Sequence, residues 1–184
     1  MGDNPEPYLI PLVHHLDERG DLQKFPSPQI LWSPESSILD SYISRSRAEV
    51  FRGLHCQVGT VEQHKAFTVL EGQAHLFAVL LSGFSLKRQI KRRYQLDASS
   101  KTALVVPPGW ATGYLARDEG TTIWAISSSE YQPENELIVN PACLQPWLDL
   151  AKISLSVKDS WGGLQVESWM GDAATVPQKR PGEG

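Results

Sequence analysis

Cysteine is nearly absent. Cys56 and Cys143 are the only two in 184 residues, and they form no CxxC pair. That excludes a disulfide-stapled framework and a thiolate zinc ribbon. Both read as free thiols of a reducing cytosol, with a single Cys56–Cys143 bridge as the alternative. Long apolar runs are missing too. None approaches the ~20 residues of a membrane span, so no membrane partner is expected. The opening stretch Met1–Pro7 has no basic n-region or apolar h-region, which argues against a secretory signal. Glu6 stands where a myristoylation site needs Ser or Thr. The expected location is cytoplasmic. Positive charge is not in excess either: 17 Lys and Arg stand against 21 Asp and Glu, a formal net charge of -4. No nucleic-acid partner is implied. GxSxG, P-loop and GxGxxG motifs are all lacking.

What is present points to an all-β domain. A chain of 184 residues fits one domain and can bury a core without staples. Thirteen prolines and fourteen glycines leave only short segments between them. Stretches 66–70, 75–81, 103–106, 113–116 and 121–127 are rich in Val, Leu, Ile, Thr, Phe and Trp, which suit a pleated surface. Glu71-Gly72, Ser82-Gly83 and Pro107-Pro108-Gly109 punctuate them as turns. Many short strands separated by turns predict a sandwich or barrel.

Segment 86–96 fits a helix face and a strand face alike, and its strand neighbours favour a strand. Its basic residues Lys87, Arg88, Lys91, Arg92 and Arg93 read first as a solvated face and second as a phosphate site. A short helix is expected over 146–153, with Trp147, Leu148 and Ala151 on one side. A single domain spans 1–170, and 171–184 is too poor in apolar groups to be more than a loose tail.

The chemistry-bearing stretch is Arg52-Gly53-Leu54-His55, with Lys65 ten residues after His55. A cation for an anionic substrate, an imidazole that titrates near neutrality and an ammonium group are the parts needed to remove a proton beside a carbonyl. Cys56 follows His55 directly, but on a strand it points to the other face. A Cys–His nucleophilic pair is therefore not expected. His14-His15 reads as a surface pair, and His64 and His75 as ordinary strand residues. Trp124 reads as core packing, although it adjoins Ala125 and could reshape a pocket. Trp110 is balanced between core packing and stacking on a sugar or base at a barrel mouth.

Four blocks in order carry a family resemblance. They are Asp17-Glu18-Arg19-Gly20-Asp21-Leu22-Gln23-Lys24-Phe25; Arg52-Gly53-Leu54-His55 with Gln57; Val105-Val106-Pro107-Pro108-Gly109-Trp110-Ala111-Thr112-Gly113-Tyr114; and Ser129-Glu130-Tyr131-Gln132-Pro133-Glu134-Asn135-Glu136. Over about residues 10–160 the chain resembles the dTDP-4-dehydrorhamnose 3,5-epimerase family. The resemblance implies a cupin jelly roll, the double-stranded β-helix, in homodimers that exchange N-terminal strands. It implies action on a nucleotide-linked 4-keto-6-deoxy sugar, feeding a cell-surface polysaccharide or a glycosylated metabolite. By match, His55 is the base, Lys65 holds the enolate oxygen, Arg19 and Arg52 contact the pyrophosphate and Tyr131 packs near the nucleoside base. Phe25, Gln57 and Trp110 join the substrate-binding set.

The chain also departs from that pattern. Thr112 stands where the family usually has histidine, and Ala125 where it has a general-acid tyrosine. The aspartate that pairs with the base falls at Val157 in an ungapped match, and Asp159 substitutes if the register differs. Of four metal-ligand positions in metal-binding cupins, only His55 remains; the others are Gln57, Lys65 and Thr112. No metal and no cofactor are expected. The reading is a metal-free epimerase or isomerase acting on one centre. The alternatives are a non-catalytic sugar-nucleotide-binding cupin and a cupin enzyme of changed small-molecule tailoring chemistry.

Overall fold

In the computed structural model, residues 5–32, 37–81 and 90–160 are described. Two five-stranded antiparallel sheets face one another. The first takes β1 (Tyr8–Pro11), β9 (Thr102–Val106), β6 (Lys65–Glu71), β11 (Thr121–Ser127) and β4 (Asp40–Ser46), in that order. The second takes β12 (Glu136–Ile138), β5 (Phe51–Gln57), β10 (Trp110–Ala116), β7 (Gln73–Leu80) and β8 (Lys91–Asp97). From β4 onward, strands consecutive in sequence fall in opposite sheets, as β5 and β6 or β9 and β10 do, except β7 and β8, which pair within the second sheet. This is the double-stranded β-helix of a cupin. A separate hairpin, β2 (Val13–Asp17) with β3 (Gly20–Lys24), pairs only with itself.

Period-two alternation sorts the apolar residues into layers. Phe67, Val69, Leu76, Leu104, Val106 and Ile123 point between the sheets and form the inner core. The opposite faces carry Phe51, Leu54, Phe77, Val79 and Leu115, covered by Leu137, Leu144 and Leu148. On the outside of the first sheet, Ala66, Val105 and Ile126 pack under Leu31 of α1 (Pro28–Leu31), a single helical turn. Trp124 belongs to this outer layer. It meets Phe25 edge-on at 4.5 Å, and its indole N–H donates to Ser41 Oγ at 2.8 Å.

The strands expected over 66–70, 75–81, 103–106, 113–116 and 121–127 match β6, β7, β9, β10 and β11. Within 86–96, β8 occupies Lys91–Asp97; residues 82–89, with the Ser82-Gly83 turn, lie outside the described residues, as does the tail 171–184. The basic residues described there serve internal contacts. Lys91 Nζ donates to the Cys143 carbonyl, Arg92 pairs with Glu6 at 2.7 Å and Arg93 lies 5.9 Å from the Trp147 ring.

The helix expected over 146–153 is replaced by turns. Trp147 N–H donates to the Leu144 carbonyl and Lys152 N–H to that of Asp149. The Asp149 carboxylate accepts from Ala151 N–H, a local bond that competes with helix formation. The C-terminal helical turn comes later, as α2 (Val157–Ser160).

Candidate active site

Arg52 and His55 are three apart on β5, and a regular strand would send them to opposite faces. The register against β10 shifts between Thr112 and Tyr114, which corrects this. Glycines permit the irregularity. Gly53 sits at φ +117°, and a Cβ there would lie 2.6 Å from Gly113 Cα. Arg52 and His55 therefore line the same cavity, of about 720 Å³, between the open ends of the sheets. Lys65, Gln57, Tyr131 and Asp159 also line it, as do Tyr42, Ala125, Thr112, Glu136 and Lys158.

His55 is hydrogen-bonded through one ring nitrogen and has a carboxylate near the other. Its Nε2 lies 2.7 Å from Asp159 Oδ1, and its Nδ1 lies 3.5 Å from Glu136 Oε1. Asp159 reaches it because of α2. Ser154 pairs with Val50 beside the start of β5 and fixes the register of the segment. Ser156 Oγ then accepts the Asp159 N–H at 3.1 Å and starts the helical turn. The turn leaves Val157 70% exposed and carries Asp159 inward to 4%. Asp159, not Val157, is thus the partner of His55. Burial works to raise the Asp159 pKa, but hydrogen bonds from His55, Ser156 and the Gly53 backbone, with the His55 charge, bring it below the ordinary value. The Ser156-x-x-Asp159 spacing is a helix-start signal that could have identified this register.

Glu136 and Lys158 were not foreseen. Glu136 Oε2 takes Lys158 Nζ at 2.5 Å and the Tyr131 hydroxyl at 2.9 Å, and Lys158 lies 5.7 Å from the Tyr131 ring centre. Position on β12, opposite Gln57, brings Glu136 in; Lys158 had no sequence signal. Gln57 is buried, and its side-chain oxygen accepts the Gln132 N–H at 3.0 Å, which pins the loop bearing Tyr131. Lys65, at the start of β6, makes no hydrogen bond or ion pair among the described residues. Burial pushes its pKa down against the nearby Cys56, Glu136 and Asp40, which pull it up. Arg52 Nε donates to Ser46 Oγ at 2.9 Å.

Three expected site residues stand elsewhere. Arg19 is in the β2–β3 turn, 84% exposed along its side chain and paired with Asp17 at 2.5 Å. Phe25 packs in the outer layer beside Trp124. Trp110 faces the inner core at 3% exposure, and its indole N–H donates to the Pro5 carbonyl at 3.1 Å. It shares the inward face of β10 with Thr112 and Tyr114 but stands outside the cavity lining, so core packing rather than stacking describes it. His14 pairs with Asp21 at 3.0 Å in the hairpin, and His64 stacks on Trp32 at 5.9 Å. Cys56 packs in the outer core of the second sheet, and burial pushes its thiol up to about 11. It is no nucleophile at neutral pH. Both cysteines are free. Among the described residues, no group of three or more His, Cys, Asp or Glu is placed to hold a metal ion. No helix among them is long and apolar enough to cross a membrane.

The family model for dTDP-4-dehydrorhamnose 3,5-epimerase matches residues 5–165. The chain belongs to this family. The family's Escherichia coli K12 enzyme of that name is 31% identical over 107 residues, 58% of this chain and 57% of that protein. The match thus spans little more than half of that relative. Among solved structures, an epimerase from Mycobacterium tuberculosis superposes with a TM-score of 0.77 at 26% identity, covering 92% of this chain and 88% of that one. The dTDP-4-dehydrorhamnose 3,5-epimerase of Elizabethkingia anophelis gives 0.73 at 26%, covering 89% and 93%.

Proposed function

We propose that this family member is a metal-free epimerase or isomerase of a nucleotide-linked 4-keto-6-deoxy sugar, with His55 removing a proton next to the ketone. The observation that carries the reading is the His55–Asp159 contact of 2.7 Å in one cavity with Lys65 and Arg52. With Nε2–H directed at Asp159, Nδ1 keeps its lone pair for the substrate. Asp159 holds the ring in that tautomer and steadies the imidazolium, while Lys65, unpartnered among the described residues, faces the enolate oxygen. A positioned base contributes ~10²–10⁴ in rate. Arg52 takes the diphosphate, and Tyr131 flanks the nucleoside base. Gln57 supports that loop.

Arg19 belongs to the proposal through a partner. The β2–β3 hairpin holds Leu16 at 76% and Leu22 at 53% exposure and pairs with neither sheet of its own chain. A homodimer that exchanges this region would cover those side chains and bring Arg19 to a neighbouring cavity. A cytoplasmic location completes the reading. The test is proton NMR of dTDP-4-keto-6-deoxyglucose incubated with the parent and with His55→Ala. A new epimer with the parent alone is expected. No turnover by the parent, with dTDP still bound, would replace the enzyme by a sugar-nucleotide binder.

A further inference from the structure

Inversion at carbon sets a geometric demand. If a base strips the proton from one face of a sugar ring, the new proton must come from the opposite face. His55 projects from the second sheet, so the donor is to be sought on the first. That wall of the cavity carries Asp40, Tyr42 and Ser44 from β4, Lys65 from β6 and Ser127 from β11. The hydroxyls differ in their commitments. Ser44 Oγ is 2.8 Å from the Tyr114 hydroxyl, and Ser127 Oγ donates to the Ser129 carbonyl at 3.1 Å. The Tyr42 hydroxyl makes no hydrogen bond among the described residues. Tyr42 lies directly across from Ala125 in the β4–β11 pair. Alternation puts both on the cavity face. Ala125 ends at Cβ, so the space beside the ring is open.

We propose that Tyr42 is the proton donor on the face opposite His55, an assignment that rests on the epimerase reading above. His55 Nδ1 takes the proton beside the ketone, and the C–H electron pair becomes the enolate, with its charge on oxygen beside Lys65. The enolate then reforms the ketone, and its carbon takes the proton from the Tyr42 O–H. The phenolate recovers a proton from water, and the His55 imidazolium loses one to water. No net proton is gained or lost. A donor must hold its proton at neutral pH. Tyr42 is 47% exposed as a residue and lines the cavity. Burial pushes its phenol up to about 12, Tyr114 and Asp40 push the same way, and Arg52 opposes them.

The experiment separates removal of the proton from its return. A dTDP-linked 4-keto-6-deoxy sugar is incubated in D₂O with the parent, Tyr42→Phe and His55→Ala, and both the deuterated starting sugar and the inverted product are quantified. With Tyr42→Phe, deuterium exchange with retention should stay within about threefold of the parent while inversion falls ~10²-fold or more. Equal dTDP binding by the parent and Tyr42→Phe serves as the folding control. As a second variant, 3-fluorotyrosine at 42 lowers the phenol pKa and should move the alkaline limb of inversion to lower pH. Inversion by Tyr42→Phe at the parent rate overturns the donor assignment and leaves the epimerase reading intact. Equal loss of exchange and inversion also overturns it, because Tyr42 would then act before proton return. A parent that neither exchanges nor inverts overturns the epimerase reading itself.

Discussion

Replacing Asp159 by Asn removes one charge and little else from the site. The parent contact, His55 Nε2 to Asp159 Oδ1 at 2.7 Å, has the length of a charge-assisted hydrogen bond. Such bonds contribute ~1.5–3 kcal/mol. At 1.36 kcal/mol per decade, losing that stabilisation of the imidazolium slows proton abstraction roughly 10–150-fold. The new amide adds a second effect. Its NH₂ can donate to Nε2, which leaves the ring proton on Nδ1, the nitrogen that should accept the substrate proton. A buried aspartate that sets a histidine tautomer can matter by ~10⁴. Glu136, 3.5 Å from Nδ1, retains some negative charge near the ring. The expected loss in exchange rate therefore lies between ~10² and ~10⁴, with dTDP affinity unchanged. The assay is the initial rate of deuterium uptake by the sugar. A rate within threefold of the parent would refute the pairing as a catalytic arrangement. Stability supplies a second readout. Because the fold lowers the Asp159 pKa, its contribution is present above the ordinary carboxylate value and is lost as pH falls through the folded value. The parent should be more stable than Asp159→Asn near neutrality, and the gap should close below about pH 4.

Three further outcomes are expected. Lys65→Met should abolish turnover yet raise the melting temperature of the ligand-free protein by about 2–4 °C for each kcal/mol of relieved desolvation. Since burial lowers the Lys65 pKa, the parent's deficit should shrink as pH rises through that lowered value towards 10.5, and calorimetry across pH 7–10.5 checks the sign. Arg52→Ala should weaken dTDP binding by about tenfold or more in titration calorimetry, from loss of a charged hydrogen bond to phosphate. Arg19→Ala should do the same only if the hairpin serves a neighbouring cavity, and unchanged affinity would remove Arg19 from the site.

The strands were legible because short runs rich in β-branched and aromatic residues lie between Pro and Gly turns; β6, β9 and β11 are buried almost throughout, so their runs are apolar rather than alternating. The cavity was legible through Arg52-Gly53-Leu54-His55 and Lys65, whose residue types suit one chemistry, while the bulge that turns Arg52 and His55 to one face appeared only in the strand pairing. Other features depended on tertiary geometry. Asp159 needed the Ser156-started turn, because the ungapped family match falls on Val157 and only the turn decides between the two. Glu136 entered through the pairing of β12 with β5, a short contact with little periodicity of its own. Trp110 follows a Pro-Pro-Gly turn, the place of a mouth residue, but its parity on β10 matches Thr112 and Tyr114 at a depth where the inner core closes. The helix expected over 146–153 failed where Asp149 offered the backbone a local turn. Trp124 and Ala125 are adjacent in sequence but face opposite sides of the sheet, so the tryptophan cannot fill the space beside the alanine.

Removal of a carbon-bound proton by His55 is the step on which the proposed activity depends. Incubation of dTDP-4-keto-6-deoxyglucose in D₂O, with mass spectrometry to count deuterons and proton NMR to place them, measures this directly. Deuterium at C3 or C5 with the parent, and none with His55→Ala, is the predicted result. Uptake that persists unchanged in His55→Ala would contradict the assignment.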